Sequence, residues 1–527
     1  MIRNTLFAIA FFTLATATAQ TKTATDFAAQ VSTTKLREYL TVLTSDELAG
    51  RETSTPGEAK AAAYIASVFK QAGLKKFSKA KKYLQYYNVY RDSMTAQTLT
   101  IGGNTYTGGS RFIMQTNTSF SQKIKAKELV FVGYGISDSA YDDYAGKDVK
   151  GKIVVYCSGE PMNADSTWLI TGTKKASDWL TTSLQRKQKE AKARGAKAVF
   201  TFSPETPVFT EQTRSFYLRN ALKYNPAAPI INQASLSHGF IDSLYGKELF
   251  KTILDAARKK QPLSQIAVKN IKGNMVLTYK EAIEKRKARN VVGYVKGSEK
   301  PDEYVYITAH MDHLGVSANG KEIFRGADDD GSGTSAVMAL AAAFADAAKN
   351  GMRPKRSIIF MTVSGEEKGL WGSEYATRKP VIPLDNVSAN INIDMIGRID
   401  SKRKNGDSLN YIYAVGSDKL SSEMKPLLEQ VNKQHINIEL DYKFDDPADR
   451  ERIYFRSDHY NFAKNGVPIV FFYNGSHPDY HRATDTIEKI NFELMAKRAR
   501  LAFMLAWELA NRQTMLVRDL PIPTATR

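Results

Sequence analysis

The chain has 527 residues with a 43% hydrophobic content, which is enough for more than one domain and a large buried core. Its formal net charge is +19, from 74 lysines and arginines against 55 aspartates and glutamates. The single cysteine, Cys157, excludes an internal disulfide and any zinc site built from cysteines, so a metal would need histidine and carboxylate ligands.

The first residues have the pattern of a secretory signal peptide. Arg3 precedes the apolar run LFAIAFFTL, and ATA at residues 17–19 is a small-residue cleavage motif. We therefore expect residues 1–19 to be a signal peptide and the mature protein to be exported, either periplasmic or secreted. The apolar run is too short to cross a membrane and no later run is long enough, so we expect no integral membrane segment.

Two stretches are dense in lysine and arginine: RKQKEAKARGAK at residues 186–197 and KEAIEKRKARN at residues 280–290. Glutamates interrupt both, which is typical of the solvated face of a helix. No nucleic-acid recognition motif accompanies the charge, so we expect no nucleic-acid partner. Attraction to anionic substrates or to an anionic envelope surface stays open.

The composition changes along the chain and predicts several segments. The early part contains helical stretches, one of them from about Pro56 to Ala72 and ending at Gly73. Short β-branched and aromatic runs separated by turn residues then indicate a β-rich module. The predicted division is 24–124, the first part of the main domain; 125–270, an inserted β-rich domain; 271–515, the rest of the main domain; and 516–527, a tail.

The segment 271–515 predicts an α/β fold. Near-continuous apolar runs, such as EYVYITAHMD and VPIVFFYNGSH, are typical of strands buried on both faces. Helical stretches lie between them, including residues 331–350 and 492–511. We therefore expect a mixed, mostly parallel sheet sandwiched by helices.

The motif RGADDDGSGTSAV, residues 325–337, places three aspartates directly before a predicted helix. One helix start needs one acidic cap, and the additional carboxylates repel one another. A bound divalent metal can make such crowded carboxylates favourable, because it is the largest charge in its site.

Acidic residues and histidines follow several predicted strands. Ligands in open α/β sheets bind at the carboxyl ends of the strands, so these side chains are expected to converge. Together with the aspartate run they supply enough oxygen and imidazole ligands for two divalent metals. These residues are His310, Asp312, His313, Glu366, Glu367, Asp394, His477 and His481.

With these motifs the sequence resembles the co-catalytic di-zinc exopeptidase family, which includes bacterial secreted aminopeptidases and glutamate carboxypeptidase II. The matching blocks, in family order, are AHMDHLG, GADDDGSG, SGEEKGLWGS, NIDMIGR, and SDHYNFAKNGVP with HPDYHRATDT. The segment GYGISDSAYDDYAGKDVKGKIVVYCSGEP resembles the protease-associated (PA) domain that many such enzymes carry as an insertion. The resemblance implies the zinc exopeptidase fold with an inserted PA domain.

The resemblance also implies the metal ligands. His310 would bind one zinc and His481 the other, and Asp329 would bridge both. Glu367 would ligate one metal and Asp394 the other. The neighbours of Asp329 in the aspartate run would be loop and capping residues. Three further histidines match no ligand position, although the first lies close enough to be a rival: His313, His459 and His477.

Three residues have implied catalytic roles. Glu366 would be the general base, and Asp312 would accept the other N–H of the His310 imidazole and fix its tautomer. Tyr480 matches a position that stabilises the oxyanion in some members of the family.

The implied function is an exported di-zinc metallo-aminopeptidase, which hydrolyses N-terminal residues from peptides with a metal-bridged water as nucleophile. The expected cofactors are two Zn²⁺ ions per chain, with cobalt or manganese as alternatives, and the expected partner is the peptide substrate. The oligomeric state stays open.

Other functions remain open on the same scaffold. Four arginines lie near the motifs and would suit a carboxypeptidase or a dipeptidase, which must bind a free carboxylate: Arg325, Arg398, Arg452 and Arg456. A catalytically silent binding protein and a one-zinc glutaminyl cyclase are further alternatives. The intact set of five ligands and Glu366 argues against both.

Overall fold

The computed structural model describes residues 22–114, 122–181, 183–210, 222–224, 230–317 and 319–523. The predicted signal peptide, residues 1–19, lies outside the described residues. The chain forms two compact units, which we call unit 1 and unit 2. Unit 1 combines Met1–Tyr87 with Lys287–Arg527, and unit 2 is Asn88–Arg286.

Unit 1 contains a mixed sheet whose central strand is Lys300–His310. Arg356–Val363 and Val387–Ile393 pair with it in parallel on its two sides. Ile469–Tyr473 continues the sheet in parallel beyond Val387–Ile393. These four strands are almost entirely buried, which explains their near-continuous apolar sequences. The flanking strands are the residues 291–295 of Ile271–Val295, together with Tyr411–Val415 and Glu439–Asp441.

Helices cover both faces of this sheet. One apolar core lies against six of them, and a second core lies on the opposite face, where the small helices Trp371–Arg378 and His459–Ala463 pack. The predicted α/β class with a mixed sheet between helices is therefore confirmed. The helices against the first core are Ala24–Ala29, Thr33–Leu43, Pro56–Ala72, Gly333–Lys349, Phe492–Asn511 and the short Met424–Val431.

Shorter elements complete unit 1. Met424–Val431 is a further α-helix, and Gly315–Val316 pairs with Ile323–Phe324 in a small antiparallel ribbon. In the described residues, no helix combines the length and the apolarity that a membrane span needs. Single turns of 3₁₀ or π type are Asp46–Arg51, Ala327–Ser332, Leu384–Asn386, Asn432–Ile436, Lys443–Asp445, Ile453–Phe455 and Ile487–Lys489.

Unit 2 contains a set of paired strands and its own apolar core. Ile153–Cys157 and Ala198–Phe202 are parallel at its centre. The unit extends beyond 125–270 on both sides, because long strands carry the chain into and out of it. Its other strands are Leu84–Ile101, Asn104–Thr107, Phe112–Met114, Gln122–Phe131, Leu222–Lys223, Asn232–Leu236 and Ile271–Val295, and its helices are Asp178–Thr181, Ser183–Ala193, His238–Tyr245 and Lys247–Arg258.

One local expectation is wrong. Residues 280–290 are not a helix face but part of the strand Ile271–Val295. Lysine, glutamate, alanine and arginine favour helices in isolation, but propensity is weak and the tertiary environment overrides it here. The other basic stretch, 186–197, does lie largely on the helix Ser183–Ala193.

His459 makes the stability of unit 1 depend on pH. Its ring is fully buried against Phe471, with centroids 4.6 Å apart, and its Nε2 donates to the carbonyl of Tyr454 at 2.8 Å. Burial lowers the pKa of His459 to about 3 from an ordinary 6.5. The unfolded chain therefore binds the proton first as the pH falls.

We expect the free energy of unfolding to decrease between pH 6.5 and 3 by up to about 1.4 kcal/mol per pH unit on account of this residue. Denaturant unfolding at several pH values should show a shallower pH dependence in His459→Gln than in the wild type. His435→Gln, at an exposed position, is the control. Equal slopes in wild type and His459→Gln would contradict the prediction.

Candidate metal centre

The candidate site lies where the four parallel strands of unit 1 end. His310 is the last residue of the central strand, and Asp394 directly follows Val387–Ile393. Glu366 and Glu367 come shortly after Arg356–Val363, and His481 lies on the loop that leaves Ile469–Tyr473. Parallel strands have their carboxyl ends at the same edge, so these side chains meet there.

The carboxylate of Asp329 lies between two histidines. Its Oδ1 is 3.2 Å from Nε2 of His310, and its Oδ2 is 3.1 Å from Nε2 of His481. Asp394 Oδ1 is 3.6 Å from the His310 Nε2, and Glu367 Oε2 is 3.1 Å from the His481 Nε2. The structure thus brings all five predicted ligands into two adjoining groups that share one carboxylate.

The donor atoms of these groups fit divalent metal ions. His310 Nε2, Asp329 Oδ2 and Glu367 Oε1 are buried and have no hydrogen bond of good geometry, and their close polar neighbours are other members of the same groups. Buried polar atoms without partners are costly, and imidazole with carboxylate oxygen is a usual zinc ligand set. Two clusters have ligand atoms within 4.8 Å of one another: His310, Asp330 and Asp394, and His313, Asp329 and Glu367.

His313 joins the second group although the family pattern gives it no ligand role. Its ring is fully buried, and its Nδ1 is 2.7 Å from Glu367 Oε1 and 3.8 Å from Asp329 Oδ2. His481 is 38% exposed and faces the same two carboxylates. The second group therefore contains two histidines, one enclosed and one at the surface.

The other two aspartates of the run bind main-chain groups. Asp330 accepts the N–H of His310 at 3.1 Å, of Gly333 at 2.8 Å and of Met395 at 3.1 Å. Asp328 accepts the N–H of Gly397 at 2.7 Å. The run thus anchors its own loop on both sides of Asp329, as the predicted loop and capping roles require.

Proton affinities at the site reflect crowded negative charge. Burial raises the pKa of Glu366 well above its ordinary value, and Glu367 and Asp394 raise it further. Burial lowers the pKa of His310, but Asp394 and Glu366 outweigh it and raise that pKa well above its usual range. Burial raises the pKa of Asp329, but its contacts with His310 and His481 lower that pKa further, to well below its ordinary value. The carboxylates thus favour positive charge at the histidines.

Asp312 contacts the site differently from the expectation. Nδ1 of His310 lies 3.1 Å from the main-chain carbonyl of Asp312, whereas the Asp312 carboxylate is 3.9 Å away. The carboxylate instead accepts the Thr53 hydroxyl at 2.6 Å and the Glu366 N–H at 3.2 Å. The carbonyl therefore orients the imidazole, and the carboxylate holds the loop that carries Glu366.

Tyr480 lies beside a small cavity that opens from the site. Its ring stacks on His481 with centroids 3.8 Å apart, and its hydroxyl is 3.4 Å from a guanidinium nitrogen of Arg456. The cavity, of about 30 Å³, is lined by carboxylates and by apolar side chains. Its lining residues are Asp329, Glu366, Asp394, Met395, Ile453, Arg456, Ser457, Phe471, Tyr473 and Tyr480.

Several residues at the site were not singled out from the sequence. Ser457 donates to Asp394 Oδ2 at 2.6 Å and accepts from the amide of Asn392 at 2.9 Å. Thr53 and the buried Arg51 contact the loops from a distant part of the chain. For Ser457 the available signal was its position inside the block SDHYNFAKNGVP, which resembles the family.

Comparisons with known proteins agree with this geometry. Residues 290–506 match peptidase family M28. The chain is 26% identical over 327 residues to a probable leucine aminopeptidase of Arthroderma benhamiae, covering 58% of this chain and 83% of the relative. It is 27% identical over 278 residues to a probable zinc metalloprotease of Pyricularia oryzae, covering 46% of this chain and 53% of the relative. The chain therefore spans about half the length of the second relative.

The fold is similar to that of an aminopeptidase from Aneurinibacillus sp. strain AM-1. The TM-score is 0.52 at 19% identity, and the match covers 95% of this chain and 99% of the other. At this level of identity the likeness concerns the fold, and it supports the α/β architecture described above.

The two histidines of the second group can be separated by mutation. His481 Nε2 is 3.1 Å from an oxygen of both carboxylates. His313 Nδ1 lies close to Glu367, at 2.7 Å, but is 3.8 Å from Asp329. We therefore expect His481→Ala to have a lower zinc content than the wild type and His313→Ala to keep the wild-type zinc content, as measured by elemental analysis of folded, dialysed protein. The reverse result would assign the ligand role in this group to His313.

Proposed function

We propose that the chain, whose residues 290–506 match peptidase family M28, is an exported di-zinc aminopeptidase that removes N-terminal residues from peptides. The observation that carries the proposal is the position of Asp329 between two imidazoles, with one carboxylate oxygen towards each. A carboxylate shared in this way suits a pair of cations.

His310, Asp329 and Asp394 would hold one zinc, and Asp329, Glu367 and His481 would hold the other. When bound, the metal pair supplies positive charge that lowers the pKa of water and polarises a peptide carbonyl. The orphaned, buried donor atoms of these residues support this assignment.

Glu366 has the position of a general base. Its Oε2 is 4.0 Å from the His310 Nε2, so the carboxylate borders the ligands without replacing one. Burial raises its pKa, which favours proton transfer near neutral pH. Glu366 would take a proton from the attacking water and give it to the leaving amine. Its main-chain N–H is held by Asp312, which fixes the loop during this transfer.

Tyr480 would stabilise the charge that develops on the carbonyl oxygen. Its hydroxyl lines the cavity beside Glu366 and is 3.4 Å from the guanidinium of Arg456. A donor preorganised at this position would act when negative charge forms.

Cleavage at the amino end of peptides is supported by the apolar side chains that line the cavity and by the description of one similar protein. Ile453, Phe471 and Met395 line the cavity next to the carboxylates and would suit an apolar N-terminal side chain. One relative is described as a probable leucine aminopeptidase. A carboxypeptidase or dipeptidase is the second candidate, because Arg456 lines the same cavity and could pair with a free carboxylate.

The remaining assignments are also proposals. Export follows from the signal-peptide pattern of residues 1–19, and unit 2 would be the PA domain suggested by the segment 125–270. The complete ligand set with Glu366 argues against a catalytically silent binding protein and against a glutaminyl cyclase.

Glu366→Gln should lower kcat by about a hundredfold or more, because the general base is lost while the amide keeps the size of the side chain. Zinc content should stay unchanged. Steady-state kinetics on an aminoacyl reporter, with elemental analysis, would measure both. Glu322→Gln, at an exposed position, is the control and should keep wild-type activity. Near-normal turnover by Glu366→Gln would refute its role as base.

A set of peptides with free and N-acetylated amino ends tests the reaction itself. We expect stepwise loss of single residues only from free amino ends, and no cleavage after treatment with a chelator until zinc is restored, as followed by mass spectrometry. Removal of residues from the carboxyl end of acetylated peptides would show instead a carboxypeptidase.

A further inference from the structure

We propose that the turn Gly50–Thr53, which we call the Arg51 turn, positions the loops that carry the metal ligands, with Arg51 as its principal positioning residue. The inference deepens the proposed zinc-dependent function and rests on it. The turn lies far from the ligands in sequence but contacts three of their loops within unit 1.

The Arg51 guanidinium is buried and donates to four main-chain carbonyls. Nε binds the carbonyl of Met311 at 2.8 Å, and Nη1 binds those of Leu43 and Arg325, each at 2.6 Å. Nη2 binds the carbonyl of Gly326 at 3.0 Å. A guanidinium offers five N–H groups in a fixed planar fork, so one side chain fixes several backbone segments at once.

Two of these segments carry metal ligands. Met311 directly follows His310, and Arg325 and Gly326 begin the loop that leads to Asp329. Arg51 therefore links the end of the central strand to the aspartate loop, and its hydrogen bonds fix the separation of the two ligands.

The rest of the Arg51 turn contacts the third loop and Asp312. Glu52 forms an ion pair of 2.9 Å with Lys368, next to Glu367. The Thr53 hydroxyl donates to the carboxylate of Asp312 at 2.6 Å, and that carboxylate also holds the N–H of Glu366. Through three adjoining side chains the turn thus contacts the segments that carry His310, Asp329 and the Glu366–Glu367 pair.

The backbone of the turn is strained, which is common where function requires a fixed geometry. Gly50 and Arg51 have φ values of 66° and 54°. A left-handed conformation is unfavourable for a non-glycine residue such as Arg51 and persists when its surroundings enforce it. A Cβ on Gly50 would lie 2.4 Å from the carbonyl oxygens of Gly315 and Phe324, so only glycine fits.

Charge gives the turn a second effect. Burial lowers the pKa of the Arg51 guanidinium, and the negative charges of Asp312, Asp330 and Asp329 oppose that shift. Arg51 thereby places a permanent positive charge beside the carboxylates without occupying the position between the histidines, because its donors are directed at carbonyls.

Arg356 offers a matched control within unit 1. It is fully buried, and its guanidinium likewise binds main-chain carbonyls, those of Leu509 at 3.4 Å, Gln513 at 3.2 Å and Arg512. It begins the strand Arg356–Val363, whereas the site lies beyond that strand's other end. Replacing it disturbs a similar network away from the ligands.

The test compares Arg51→Lys with Arg356→Lys in the full chain. Zinc affinity is measured by competition with a chelator, and Tm by thermal unfolding. We expect Arg51→Lys to bind zinc roughly 10- to 100-fold more weakly, the usual effect of losing a residue that orients ligands. Arg356→Lys should lower Tm but leave zinc affinity unchanged. Wild-type affinity in Arg51→Lys, or equal losses of affinity in both variants, would overturn the proposal.

If Arg51→Lys does not fold, Thr53→Val is the variant that tests the proposal. It removes one hydrogen bond of the turn and keeps the buried charge of Arg51. We expect weaker zinc binding and a lower kcat at saturating zinc, with restoration of both in Thr53→Ser. Unchanged values in Thr53→Val would then refute the proposal. A wild-type protein that binds no zinc would refute the proposed function instead, so the two failures are distinguishable.

Discussion

Burial of many carboxylates at one edge of a sheet is the constraint on which the rest of this structure depends. A carboxylate removed from water is strongly destabilising unless hydrogen bonds or opposite charge compensate it. Here main-chain N–H groups, histidines, Arg51 and, in the proposed function, two cations share that compensation. The fully or almost fully buried acids of the described residues include Asp312, Asp328, Asp329, Asp330, Asp394, Asp458 and Asp485.

Some of the compensation comes from single side chains that hydrogen-bond to several loops at once and so hold these loops together. Asp330 alone accepts N–H groups from the end of the central strand, the start of the helix Gly333–Lys349 and the loop after Asp394. Arg51 does the same from the donor side by binding carbonyls of several segments. Strands buried on both faces cannot shift without opening the core, so the loops begin at fixed positions. The hydrogen bonds of Asp330 and Arg51 then hold the rest of each loop in place.

The sequence predicts the architecture well, since the strands and helices follow local patterns, and the side chains that it singles out as metal ligands lie close together in the structure. Apolar runs predict the strands, and the polar residues after them predict the edge where ligands meet. Details that depend on tertiary placement were not predictable. They include the strand at residues 280–290, the carbonyl rather than the carboxylate of Asp312 on His310, and the role of Arg51. No local pattern shows which atom of a loop residue a distant side chain will face.

The two halves of the centre differ in their exposure, and this asymmetry indicates where a peptide would enter. The side chain of His310 is 1% exposed, whereas that of His481 is 38% exposed. Loops can move a ligand that borders solvent more easily than one enclosed by strands. A cation held with His310 would therefore be enclosed, and one held with His481 would border solvent. Tyr480 and Arg456 lie on that open side, so the substrate would meet them as it reaches Glu366.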